Sequence, residues 1–441
     1  MSGEINRVAG NSFNRGANKV STRKTSNSDK SSKTTEQQPA DKFVSGHDIN
    51  PDTMDKIPES TRKYFTTGNK VKALFDEQVT PDRNDDEIFH NIKNLIRGAR
   101  KSVQVEMFSL NRKSIIEALT DEAKNGKKVQ VILHPPSGRF AETAQEALDK
   151  LRDGGVDVQL YPVNKAEDSD IPFNQLNHVK LMIVDGKKAI IGGMNWGERS
   201  SNNRDVDVMV EGPAVSKMGW HFRKDWQKSG GDVKDLPYIG KNEPLKDGTA
   251  MVNFITTGLE DNDKSIKWSV NRAIRNAKKS INAQLYVLTD RQVVQNMVDA
   301  KNRGVDVKVM LEPLSIKGYA VNERAASQLK DAGIEVRWFK GNPETRQKQH
   351  SKMATFDDDQ AIVGSANWTY SGLNVNREAG VEILSREVNR DLELMFMDDW
   401  ENRTTEEPVY MSRSQDPGDA GDDDETADVQ RAKSWTINDG L

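Results

Sequence analysis

The chain has no cysteine among its 441 residues. That excludes disulfide frameworks and thiolate metal sites, and it leaves the compartment open. No apolar run approaches the ~18 residues that a membrane-crossing helix needs, so no span is expected. The opening stretch MSGEINRVAGNSFNRG lacks the apolar core of a secretory signal. These absences set the expectation of a cytoplasmic protein, with a peripheral place at a membrane left open. A strong charge of one sign is missing too: the formal net charge is −4. This gives no global electrostatic footprint for nucleic acid, although a local basic groove is compatible with it. Hydrophobic residues make up only 35%, and the polar excess lies at the ends. Residues 1–40 are rich in Ser, Asn, Thr, Lys and Gln, and residues 404–441 contain GDAGDDDETAD. Such segments cannot bury enough apolar surface to offset their ordering entropy. The expected organisation is therefore a mostly disordered polar region over 1–80 and an acidic disordered tail over 404–441. Between them lies room for about two domains.

What the sequence does contain is a repetition. The pattern His-x-Lys-x4-Asp-x6-Gly-Gly/Ser-x-Asn occurs first as His178, Lys180, Asp185, Gly192, Gly193 and Asn195. It occurs again as His350, Lys352, Asp357, Gly364, Ser365 and Asn367. The surroundings repeat as well. GARKSVQVEMFSL (98–110) aligns with NAKKSINAQLYVL (276–288), and LRDGGVDVQLY (151–161) with LKDAGIEVRWF (329–339), at a constant offset of 178. The offset falls to 172 at the histidines, so the first copy has the longer loop before its motif. A duplication of this period sets two units, 81–235 and 236–403.

Each copy alternates strand and helix signals, which predicts an α/β fold. Val103–Ser109, Val129–Leu133 and 156–161 read as strands, with helices near 112–125 and 139–153. Their counterparts are strands at Val305–Leu311 and 334–339 and a helix near 320–332. Gly126 and Gly304 end helices, and Thr289 with Gln292 looks like a capping box. Both motifs read as hairpins turning at Asp185-Gly186 and at Asp357–Asp359. Strand alternation would place each histidine on one face with its lysine. Each unit closes with a helix whose aromatics, Phe222 with Trp226 and Phe396 with Trp400, are expected in the core.

Two matched half-sites suit phosphodiester chemistry through a phosphohistidine. Lys180 and Lys352 supply positive charge to a phosphate, and Asn195, Asn367 and Ser365 supply further donors. One neutral imidazole attacks phosphorus, while the other, protonated, serves the leaving oxygen. The lysines do the electrostatic work of a metal, so no metal or cofactor is called for. Each imidazole needs a carboxylate on its far nitrogen. Asp205 follows His178 by 27 residues and Glu378 follows His350 by 28, each after an Asn-Arg pair. The expected pairing is crossed, Glu378 with His178 and Asp205 with His350. Asp185 and Asp357 face away and are read as structural, with Gly192, Gly193 and Gly364. His47, His90 and His221 stand outside the constellation. His134 precedes Pro135 at a strand end, where it could line the cleft; its counterpart is Glu312.

These residues resemble the phospholipase D superfamily, whose signature is the paired HKD motif, over roughly 85–403. The resemblance implies two tandem α/β sandwich units related by a pseudo-twofold axis, with one metal-independent active site between them and a monomer sufficient to build it. It also implies His178 as nucleophile and His350 as acid/base; the residues alone leave that order open. GGMNWGERSSNNRDVDVMVEGPAV is similar to bacterial cardiolipin synthases, which usually carry membrane spans that this chain lacks. GSANWTYSGL looks like the GSxNWT of phospholipase D-type nucleases. Tyrosyl-DNA phosphodiesterases replace the motif Asp, and neither copy here does. The expected activity is cleavage or transfer of phospholipid head groups at a membrane surface. A nuclease acting on nucleic-acid phosphodiesters is the alternative, and a non-catalytic binding module the third reading. Loops 136–145, 163–177 and 314–322 are the expected rim. Ile171, Pro172, Phe173 and Leu176 among Glu167, Asp168 and Asp170 favour lipid. Lys317, Arg324, Arg346 and Lys348 favour nucleic acid.

Overall fold

The computed structural model describes residues 57–75, 87–138, 141–165, 174–237, 240–316 and 319–410. The expectations for residues 1–56 and 411–441, for His47, for loop residues 166–173 and for Lys317 lie outside the described residues.

The first half contributes strands β1 (Thr66–Phe75), β2 (Ser102–Met107), β3 (Lys128–Leu133), β4 (Asp157–Leu160), β5 (Lys180–Val184), β6 (Lys188–Gly192) and β7 (Val206–Glu211). The second contributes β8 (Ala250–Gly258), β9 (Asp263–Lys264), β10 (Ser280–Leu285), β11 (Asp306–Leu311), β12 (Ser315–Ile316), β13 (Tyr319–Ala320), β14 (Glu335–Phe339), β15 (Lys352–Phe356), β16 (Gln360–Gly364), β17 (Glu378–Leu384) and β18 (Thr404–Thr405). Apart from the small β12–β13 pair, they form one sheet. From the centre outward the first half runs β1-β7-β6-β5-β2-β3-β4 and the second β8-β17-β16-β15-β10-β11-β14. The two orders are the same, and β1 meets β8 antiparallel at the centre. In each half the three outer strands are parallel neighbours and the rest antiparallel. The structure is thus the duplicated α/β arrangement expected from the repeat.

Strand and helix boundaries follow the apolar periodicity closely, because these runs are buried. Val103, Val105 and Met107 are fully buried, as are Ile281, Ala283 and Leu285. Helices Lys113–Lys124 and Arg291–Asn302 pass into turns at Gly126 and Gly304, whose φ values of 80° and 90° favour glycine. The closing helices Pro213–Lys228 and Arg386–Asn402 bury Phe222 stacked on Trp226 and Phe396 stacked on Trp400. Those four rings join one apolar cluster with Ile183, Ile191 and Val208 from the first half and Val363, Val381 and Ile383 from the second. Two further clusters are built separately, one within each half. No helix among the described residues is long and apolar enough to cross a membrane.

Three local expectations change. The strand β1 falls inside the 1–80 region read as mostly disordered, yet it is central in the sheet, paired with β7 and β8. Its lysines, Lys70 and Lys72, interrupt the apolar run, and only Asn69, Ala73 and Leu74 are buried. β18, at the start of the acidic segment, likewise pairs with β14. The helix after β10 is capped by Asp290, whose carboxylate accepts from the Val293 amide at 3.0 Å, rather than by Thr289. An Asp one residue later offers the stronger acceptor.

Candidate active site

Each motif histidine sits just before a central strand, at the seam between the halves. The His178 amide donates to the Arg377 carbonyl (2.8 Å), and the His350 amide to the Arg204 carbonyl (2.7 Å). These cross-half bonds explain why β5 and β15 begin at the lysines instead of the histidines. Each lysine folds back: the Lys180 ammonium donates to the His178 carbonyl (2.9 Å) and the Lys352 ammonium to the His350 carbonyl. The two lysines also lie over the rings of Phe108 and Tyr286, each 5.1 Å from the centroid. The same rings touch His178 (5.0 Å) and His350 (4.9 Å). Phe108 and Tyr286 are site residues missing from the sequence reading. Their signal was an aromatic at the same place in both aligned copies.

The acids pair in the crossed sense. His178 Nδ1 lies 3.0 Å from Glu378, and His350 Nδ1 lies 2.6 Å from Asp205. Glu378 also accepts from the Asn376 amide (3.2 Å) and the Ser365 hydroxyl (2.5 Å). Ser365 is therefore committed to an acid, which moves it from phosphate donor to brace. Its counterpart must be glycine, because a Cβ on Gly193 would stand 2.3 Å from the Asp205 carboxylate. Asn195 and Asn367 are buried, and the tryptophans after them bridge to Leu110 and Leu288.

Asp185 and Asp357, both at positive φ, stay away from the histidines. Asp185 accepts from the amides of Arg100, Lys101 and Ser102, and Asp357 from those of Lys278, Lys279 and Ser280. They fasten the starts of β2 and β10 beside the hairpins. Gly192 and Gly364 lie where strands approach too closely for a side chain. His134 and Glu312 also play matched parts: the first accepts the Asn177 amide (3.3 Å), the second the Gln349 amide (2.8 Å). Each holds the residue just before a motif histidine. His90 is exposed. His221 accepts from Arg377 at 3.2 Å.

Beneath the histidines lie two ion pairs that spacing did not reveal. Arg204 donates to Asp399 (2.8 Å) and Arg377 to Asp225 (2.7 Å), each linking one half to the closing helix of the other. All four residues are buried. Both aspartates stand immediately before the closing tryptophans, which was the available signal.

Burial dominates the electrostatics. It pulls His178 down to about 4, with Glu378 opposing and Lys180 and Lys352 adding to the fall. It pulls His350 well below the usual imidazole value, reinforced by Lys352, Lys348, Lys180 and His178. Burial also raises Asp205 to about 6, against Lys352. Both rings are therefore held in their neutral form. Each ring feels the lysine of the opposite half, so the half-sites share one field.

Two neutral imidazoles, each held by a carboxylate from the opposite half and flanked by buried lysines, mark the candidate site on a duplicated α/β frame. The family model "Cardiolipin synthase, PLD-like domain" matches residues 92–226 and 270–400, more than half of the chain. The chain belongs to this family and is a phospholipase D-like enzyme. It is 25% identical to cardiolipin synthase 1 of Staphylococcus aureus (strain MRSA252), over 79% of this chain and 71% of that one. It is 27% identical to cardiolipin synthase A of Pseudomonas putida (strain GB-1), over 78% and 71%. Its fold is similar to the crystal structure of phosphatidylserine synthase from Haemophilus influenzae Rd KW20, with TM-score 0.58, 14% identity, and 83% and 95% of the two chains covered.

Proposed function

We propose that the protein transfers a phosphatidyl group between alcohols, or to water, through a phosphohistidine. The observation that carries this is the crossed pairing of His178 with Glu378 and His350 with Asp205. A neutral ring held by a carboxylate at Nδ1 presents Nε2 as a nucleophile. In this reading His178 Nε2 attacks phosphorus, and the bond to the leaving alcohol breaks as His350 Nε2 gives it a proton. An incoming hydroxyl then loses its proton to His350 and attacks phosphorus, and the phosphorus–nitrogen bond breaks. The order of the two histidines rests on the family resemblance.

His350 must hold a proton to begin the cycle, yet burial and three lysines strip it. The phosphate itself supplies the remedy: its negative charge between Lys180 and Lys352 offsets the lysines and restores imidazole basicity. Substrate binding thus arms the acid. The lysines remain to stabilise the charge that builds on the equatorial oxygens. Lipid is preferred as substrate because the relatives of comparable length are named cardiolipin synthases.

The test is to offer the full chain phosphatidylglycerol vesicles and single-stranded DNA side by side in EDTA. Free glycerol with cardiolipin or phosphatidic acid is the expected outcome, with DNA intact. Cleaved DNA and untouched vesicles would overturn the substrate assignment, and strict dependence on a divalent ion would overturn the lysine-based electrostatics.

A further inference from the structure

The two buried Arg–Asp pairs are not equivalent. In the second half the Asp399 carboxylate accepts from Arg204 and also from the side-chain amide of Gln284 on β10 (3.1 Å). In the first half the aligned position on β2 is Glu106. It is 1% exposed, it faces the Asp225 carboxyl group, and its Oε1 is buried with no other hydrogen-bond partner among the described residues. Two carboxyl groups can bond only if one holds a proton. The remaining bond that Asp225 needs is the one an amide N–H gives Asp399 across the pseudo-twofold axis.

We propose that Glu106 is a positioning residue that carries a proton at neutral pH, donating to Asp225 the hydrogen bond that Gln284 donates to Asp399. The trio of Glu106, Asp225 and Arg377 then holds a single negative and a single positive charge, as the trio around Arg204 does. Arg377 is the residue whose carbonyl accepts the His178 amide and whose neighbour Glu378 holds the His178 ring. Glu106 therefore acts on His178 through Arg377.

The surroundings favour this state. Burial comes first in pushing Glu106 well above the usual carboxylate range, with the Asp225 charge adding to it and Arg377 opposing. From the other packed elements, Tyr161 after β4, Asn177 before β5, and His221 and Lys228 on the closing helix face the same cluster. Among these, His221 is held neutral by burial, its value lowered to about 3. Ionising Glu106 would place a second buried negative charge beside Asp225 with one guanidinium between them.

The test compares the parent chain with Glu106→Gln, which keeps the shape and the donor but has no proton to lose. A carboxyl raised in the folded state stabilises fully below its ordinary value of about 4.5, and that stability is lost as pH rises toward the folded value. Chemical denaturation between about pH 5 and pH 8 should show the parent losing ground to E106Q, by about tenfold per pH unit in the unfolding constant. Parallel curves, or the opposite slope, would overturn the proton assignment. This arm needs no activity, so it stands apart from the proposed function. The second arm rests on that function. E106Q should retain turnover at pH 7 and keep it at alkaline pH where the parent declines, while Glu106→Ala loses it. If the stability curves diverge as stated but E106Q loses turnover as E106A does, the link to His178 is wrong.

Discussion

The two halves share a frame and differ in the chemistry placed on it. Strand order, motif spacing, the buried Arg–Asp pair and the aromatic beneath each lysine all repeat. At matched places the first half carries Glu106, Phe108, His134, Gly193 and Asp205, and the second carries Gln284, Tyr286, Glu312, Ser365 and Glu378. What repeats is what fixes position: backbone bonds across the seam, caps on neighbouring strands and core rings. What differs sits within three contacts of a histidine, where in the proposed mechanism two equal imidazoles take unequal roles. A glycine makes room for the shorter acid's carboxylate at 2.6 Å from His350, and a serine braces the longer one against His178. Symmetry supplies the geometry, and in the proposed mechanism its local failures supply the division of labour.

The comparison breaks most sharply at the histidines. His178→Ala and His350→Ala should each remove turnover by about 10⁴-fold or more, since residues acting as a unit fail together. Both variants should still fold cooperatively, with melting temperatures lowered by the hydrogen bond that Glu378 or Asp205 loses. Loss in only one variant would mean that the halves do not form one reaction centre.

The next largest effect belongs to the buried pairs. Asp225→Ala and Asp399→Ala each strand a guanidinium, which costs about 3–5 kcal/mol by denaturant unfolding. Similar losses on both sides would show that the frame is symmetric. A much smaller loss on one side would show that one pair is not needed for folding.

Smaller again is the brace. Ser365→Ala removes one hydrogen bond to Glu378, worth about 1–3 kcal/mol because the acceptor is charged. It should lower kcat with little change in KM. Gly193→Ser should harm more than it helps, because its side chain meets Asp205.

The last effect is graded in pH. A base whose folded value is lowered gives stability that is complete above its unfolded value and is lost as pH falls through the folded one. His178 should therefore make the protein progressively less stable between about pH 6.5 and about pH 4. The slope should flatten in His178→Gln.

The sequence was most legible where a local rule acts. Buried strands show their periodicity, helix ends show their glycines, and the spacing from each histidine to the acid of its own copy was enough to name Asp205 and Glu378. Their crossed pairing followed from asking each half to serve the other. The rest depended on contacts too remote for spacing to show. β1 is polar-rich, and its place is set by partners more than a hundred residues away. The Arg204–Asp399 and Arg377–Asp225 pairs span 195 and 152 residues. Ser365 had the chemistry of a phosphate donor, and only its distance to Glu378 shows where the hydroxyl goes.

The most direct measurement is a rapid-quench mapping of the covalent intermediate on phospholipid vesicles. In the parent chain the phosphatidyl group should be trapped on His178 before its release to the acceptor. In His178→Ala no adduct should form. An adduct on neither histidine, or one that maps to a different residue, would contradict the account.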